Sequence, residues 1–258
     1  MTVKAFLAAS TALMTLAGTA QAADVAALIG NDTIAIVDTS AKKVTKKMKL
    51  AGIDGAVVGI DVRPADGMIY ALAADGTLYT IAMDGKATRK SKLETMLPAG
   101  ASATVDFNPV ADRLRVMGSD GTSLRVNVDD GKVIKDGSLK YADGDASKGK
   151  TPKVMAGAYT NSVKGTKDTT LLNVDTATGA LVKQAPPNDG VLNTVGALGP
   201  KVDVIAFDIW SDGTKNEGWA MTGDQLWSID LATGKATPVA KIEGLGGGVK
   251  DIAILPKM

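Results

Sequence analysis

Four aspartates, Asp61, Asp106, Asp208 and Asp251, stand at one point of a recurring pattern, inside the short apolar stretches GIDV, VDFN, AFDI and KDIA. Carboxylates gathered from such positions can do three kinds of work. As oxygen-only donors they suit calcium or another hard cation. As a pair, with Asp61 and Asp208 the first choice, they could cleave a glycoside if held ~5 to 9.5 Å apart. As acceptors, each could clasp the next repeat by taking hydrogen bonds from its turn, or could pair with an arginine. Repetition favours the clasp, because a catalytic site rarely needs four equivalents and four unpaired carboxylates repel one another.

The arginines bear on the same choice. Arg63, Arg113, Arg115 and Arg125, together with Asn108, could build an anion site at one mouth of a channel. Arg113 and Arg115 alternate with Leu114 and Val116, which gives one strand an apolar and a cationic face. A buried charge needs a partner, and Asp106 and Asp112 are near enough in sequence to supply bidentate pairing to Arg115. Trp210 stands two residues after Asp208 and could face a ligand such as a sugar. Trp219 and Trp227 occupy repeat positions held elsewhere by Tyr70 and Tyr79, which reads as core.

Two absences narrow the chemistry further. The chain has no cysteine and no histidine, which removes thiolate nucleophiles, Ser-His-Asp triads, histidine bases and zinc sites of the usual ligands. Carboxylate, Lys, Tyr, Ser and Thr chemistry remain, with calcium as the possible cofactor. The 258 residues carry 29 basic and 28 acidic side chains. Such balance argues against a nucleic-acid partner. The one dense basic run, Lys42 to Lys49, alternates as the solvated face of a strand does.

The first 22 residues hold Lys4, an apolar and small-residue run from Ala5 to Gly18, and the closing Ala20-Gln21-Ala22. That is a secretory signal peptide with cleavage expected after Ala22, so the protein is expected in the periplasm or outside the cell. The run falls short of the ~18 apolar residues of a membrane span, and nothing later is long and apolar enough. Removing it takes away Lys4 and no acid, which leaves a formal charge of zero. Without disulfides, residues 23–258 must hold themselves together by one large core.

The elements that position these residues follow from self-comparison. Gly59 to Lys86 aligns with Thr104 to Lys132: Asp61 matches Asp106, Pro64 matches Pro109, Gly76 matches Gly121, and Asp84-Gly85-Lys86 matches Asp130-Gly131-Lys132. Each unit reads as four short strands joined by Pro and Asp-Gly turns. Ala206 to Thr237 repeats the unit. A fainter copy has VMAGAYTNS as its inner strand, Ala158 or Tyr159 near the aspartate position, and Thr169 to Val182 as its third strand and turn.

The first mature residues supply only later strands of a unit, with Val25 to Ile29 and Ile34 to Val37 in second and third place. The missing first strand is Gly248 to Pro256. A sheet completed from the opposite terminus closes a ring and removes exposed edges. Third strands beginning near Ile34, Leu78, Leu124, Leu171 and Leu226 lie 44, 46, 47 and 55 residues apart, which fits propeller blades. The expected fold is a five-bladed β-propeller, with a six-bladed propeller or two β-sandwich domains as alternatives. The innermost strands then line an axial channel, where the aspartates form a ring and the arginines approach one mouth. Lys140 to Pro152 reads as a mobile surface loop, and Lys183 to Gly190 as a Pro-stiffened turn rimming one face, with Asn161, Tyr159 and Gln184 as polar contacts there.

The stretches GIDVRPADGMIYAL, DFNPVADRLRV, SLRVN, AYTN, VGALG and AFDI, in this order, resemble the bacterial exported family catalogued as domain of unknown function 4394. The resemblance spans essentially the whole mature chain. It implies the same order of elements and brings no activity. The residues themselves lead to a non-catalytic exported propeller that binds a small molecule or a protein, with a carboxylate-based glycoside hydrolase or a channel cation site as the alternatives.

Overall fold

A computed structural model of the chain describes residues 23–256; the expected signal peptide lies outside the described residues. Strands β1 (Asp24–Ile29), β2 (Thr33–Asp38) and β3 (Lys43–Lys49) form one antiparallel sheet, and β4 (Val57–Val62), β5 (Ile69–Ala73), β6 (Thr77–Ile81) and β7 (Ala87–Lys92) form the next. A third holds β8 (Ala103–Asn108), β9 (Arg113–Gly118), β10 (Ser123–Val126) and β11 (Val133–Lys135). The fourth holds β13 (Val154–Tyr159), β14 (Leu171–Asp175), β15 (Ala180–Gln184) and β16 (Val191–Ala197), with β12 (Lys140–Tyr141) added parallel to β16. The last holds β17 (Ala206–Ser211), β18 (Asn216–Thr222), β19 (Gln225–Ile229) and β20 (Ala236–Lys241).

The chain's final strand, β21 (Val249–Ile254), pairs antiparallel with β1, so the first blade takes its innermost strand from the C-terminal end. Inner strands touch in the cyclic order β4, β8, β13, β17, β21 and back to β4. This is a five-bladed propeller closed by the termini, and neither the six-bladed nor the two-sandwich alternative holds. Apart from one 3-10 turn, Pro187–Asp189, the described residues form no helix, and none is long and apolar enough to cross a membrane.

Alternation of side chains along each strand explains how blades pack. In β1, Ala26 and Leu28 join a core with Val57, Ile60 and Ile69 of the second blade, while Val25 and Ala27 face the other way, toward Ala206, Trp219 and Leu226 of the fifth. Each of the five gaps between blades holds such a core. Strands buried on both faces read as continuous apolar runs, as DVAALI and IYALA do, whereas the outermost β3 keeps its lysines in solvent.

The turns follow the residues that make them. In the β5–β6 hairpin Asp75 accepts the amide of Thr77 at 2.9 Å, and Gly76 takes the left-handed φ of +85° that its turn requires.

The fourth blade corrects three sequence expectations. Leu171–Asp175 pairs directly with the inner strand β13 and is therefore the second strand, not the third; Ala180–Gln184 is third. The expected mobile loop after Lys140 is tied down. Its first residues pair with β16, and Asp145 accepts the amide of Thr194 at 2.6 Å. Gln184 is not at a rim: it is buried, with Nε2 donating to the carbonyl of Pro187 and Oε1 accepting from Asn173.

Candidate functional site

An innermost strand has no neighbour on its channel side, so its amides there need acceptors. The four aspartates supply them, one strand to the next. Asp251 accepts the amide of Ile60 at 2.9 Å, Asp61 that of Phe107 at 2.6 Å, Asp106 that of Tyr159 at 3.0 Å, and Asp208 that of Ile254 at 2.6 Å. The donors belong to the next blade's inner strand rather than to its turn. Asp61, Asp208 and Asp251 use their other oxygen on the following residue of their own strand, Val62, Ile209 and Ile252. Glycine makes room for one of these bridges: a Cβ on Gly59 would stand 3.1 Å from the Asp251 carboxylate and 2.6 Å from Val105.

The fourth blade has Ala158 and Tyr159 in place of an aspartate. Its junction with the fifth is bridged by Asn161 and Asn216, the amide of Asn161 donating to Asn216 Oδ1 at 2.6 Å and Asn216 Nδ2 donating back to Asn161 Oδ1 at 2.8 Å.

All four aspartates are buried, and among the described residues none makes an ion pair. Asp61, Asp106 and Asp208 each bring a carboxylate oxygen within 4.8 Å of the other two; Asp251 stands outside that trio. Burial is the main reason their protons are held to higher pH. It raises Asp208 to about 6. It raises Asp61 and Asp106 well above the usual carboxylate range, with the charges of neighbouring aspartates adding to the effect. Asp251 is raised likewise, against the pull of the Ile60 and Ile252 amides.

Asp61 and Asp208 also line a cavity of about 380 Å³ at one mouth of the channel. The ends of β4, β17 and β21 and the loop after β13 converge there, contributing Val62, Pro64, Ile209, Trp210, Ile254 and Val163, with Lys164 and Asp212 as further charges. Trp210, singled out two residues after Asp208, is placed at this cavity.

The arginines gather elsewhere, in two sets that share no partner. Arg63 is bidentate to Asp112, at 2.8 and 2.6 Å, and also meets Asp66, Asp129 and Tyr70. Arg113 donates to the carbonyl of Asp112. Asn108 caps the adjoining turn by accepting the amides of Val110 and Ala111. Arg115 pairs with Asp136 at 2.5 Å rather than with Asp106 or Asp112, and its remaining donors reach Ser123, Tyr159 and Asn188. Arg125 binds both oxygens of the same Asp136. Sequence reasoning missed Asp136 because it lies past the edge strand β11, outside any repeat position.

A comparison with curated proteins finds no significant match. Among solved structures the chain is similar to a protein of unknown function from Bacteroides caccae, at 14% identity over 92% of this chain and 100% of that one, with a TM-score of 0.46. It is also similar to a structural genomics protein of unknown function from Bacteroides thetaiotaomicron, at 16% identity over 92% of this chain and 65% of that one, with a TM-score of 0.54. The chain thus spans 65% of that second protein's length, and the likeness concerns the fold alone. A family model matches residues 33–253, nearly all of the propeller, and on that match the chain belongs to the family described as Domain of unknown function (DUF4394).

Proposed function

We propose that the protein is an exported, non-catalytic propeller that captures a small ligand at one mouth of its channel. The cavity floored by Asp61 and Asp208 carries this reading: at about 380 Å³ it has the size and the mostly apolar lining of small-molecule sites. The absence of histidine and cysteine supports a binding role. So does the use of both oxygens of Asp61 and Asp208 on backbone amides, which makes these groups part of the frame. Export rests on the leader pattern of residues 1–22, and N-terminal sequencing of the secreted form should begin at Ala23.

The test is a small-molecule screen by ligand-observed NMR on the mature chain and on Ser162→Trp, which fills the cavity from its rim. Binders should lose their signal in the variant while its melting temperature stays unchanged. Binders indifferent to the blockage would place the site elsewhere.

A second reading rests on the trio Asp61, Asp106 and Asp208, whose oxygens lie close enough to share one hard cation. Calcium in that place would replace repulsion by coordination and raise the melting temperature, and chelator would lower it. Identical transitions in calcium and in chelator would dispose of the reading.

A further inference from the structure

The cavity's floor and walls differ in chemistry, and the difference restricts what can occupy it. Its walls are Val62, Val163, Ile209, Ile254, Leu255 and Trp210. They would take an apolar or aromatic body, and an indole face also attracts a cation. Its floor is Asp61 and Asp208, more than nine-tenths buried and answered by no arginine or lysine ion pair among the described residues. Their hydrogen bonds come from neutral backbone amides alone, so each donor lends a dipole and none supplies a compensating charge. Beneath them lies Asp106, whose Oδ1 accepts the amide of Tyr159 while Oδ2 accepts no hydrogen bond from any described residue.

An anion entering such a pocket meets two or three carboxylates. A neutral polyol can share their hydrogen bonds and leaves the charge uncompensated. A compact ammonium carried on an apolar body satisfies floor and walls together. Resting on the small-ligand reading above, we infer that the cavity is a site for small organic monocations, primary amines attached to an aliphatic or aromatic body.

The ammonium would sit between Asp61 and Asp208. The charged groups facing that position are Asp61 and Asp208 on the floor, Asp106 and Asp251 behind it, and Lys164 and Asp212 among the other lining residues. Lys164 opposes a cation. Its replacement by Gln should therefore tighten binding, an effect that a polyol site would not show.

The probes are benzylamine, benzyl alcohol, benzoate and methyl glucoside, titrated in chelator and followed by tryptophan fluorescence and ligand-observed NMR. Benzylamine should bind at least about tenfold tighter than benzyl alcohol. It should tighten in Lys164→Gln and be lost in Ser162→Trp. Equal or tighter binding of benzyl alcohol or methyl glucoside in the same cavity would overturn the amine inference and leave the small-ligand reading standing. Benzylamine binding that survives Ser162→Trp, or no benzylamine binding at millimolar concentration, would also overturn it. The small-ligand reading fails separately, if nothing in the wider screen is sensitive to the blockage.

Discussion

Asp208→Asn should change how stability depends on pH more than it changes stability itself. The carboxyl of Asp208 moves from the usual 3.8 to about 6 on folding, chiefly through burial. An acid whose folded value is raised binds its proton more tightly in the native state. Its contribution to stability is therefore intact below about pH 3.8 and is lost as pH rises through 6. A shift of this size amounts to about 3 kcal/mol between pH 4 and pH 8. Asparagine does not titrate, and it accepts only one of the two amides, Ile209 and Ile254, that Asp208 accepts at 2.6 Å each.

Losing one such bond costs about 1 to 3 kcal/mol at any pH. The variant should thus be the weaker protein at pH 4 and approach or pass the parent at pH 8. For a domain of this size the gap in melting temperature should close by about 6 to 12 °C. Thermal melts of both proteins from pH 4 to pH 8, in chelator, read the difference directly. Relief of Asp61 and Asp106, both raised in part by the charge of Asp208, can only enlarge the effect. Parallel curves would refute the assignment of an uncompensated buried charge to the ring.

Other consequences are simpler. Arg115→Met breaks a fully buried pair and leaves Ser123, Tyr159 and Asn188 without their donor; it should cost about 3 kcal/mol or more, whereas Arg125→Met, at a half-buried site on the same Asp136, should cost about 1 kcal/mol in denaturant titrations. Gly131 has a φ of +78°, and a Cβ there would lie 1.9 Å from the carbonyl oxygen of Lys92, while Gly144 faces open space. Gly131→Ala should therefore lose about 2 to 4 kcal/mol and Gly144→Ala almost nothing, both read from urea midpoints.

The sequence carried most of the ring because the fold repeats and the aspartate repeats with it. Asp61, Asp106, Asp208 and Asp251 share a task, accepting the next blade's amide, so the same residue recurs at equivalent points. The fourth blade was misaligned for a local reason. Asp175 to Gly179 and Asp230 to Gly234 are nearly the same turn, in which the aspartate accepts the amide two residues on. One closes the second strand of its blade and the other the third. A hairpin signal reports the turn and carries no information about its place in the blade. The partners of Arg115 were hidden by distance: Asp136 lies 21 residues away and Asn188 lies 73 away, and no repeat links such positions. The cavity escaped notice because its lining comes from the ends of several blades, each with its own residues.

One aspartate is not fully explained by the clasp. A carboxylate is needed where two amides must be accepted at once, as at Asp61, Asp208 and Asp251. Where one suffices, a neutral amide does the work, as Asn161 and Asn216 do at the junction that lacks an aspartate. Asp106 accepts one amide, that of Tyr159, yet it carries a charge into a cluster whose members repel it. Asparagine could keep that hydrogen bond through Oδ1 and offer its amino group to Asp61 or Asp208, so clasping alone predicts that Asp106→Asn is at least as stable as the parent at pH 8. A cation held by the trio predicts the same result in chelator and the opposite in calcium, where only the parent would gain stability. If the variant is destabilised equally in both solutions, the charge of Asp106 serves the architecture through a contact other than these, and the cation reading falls with the argument that led to it.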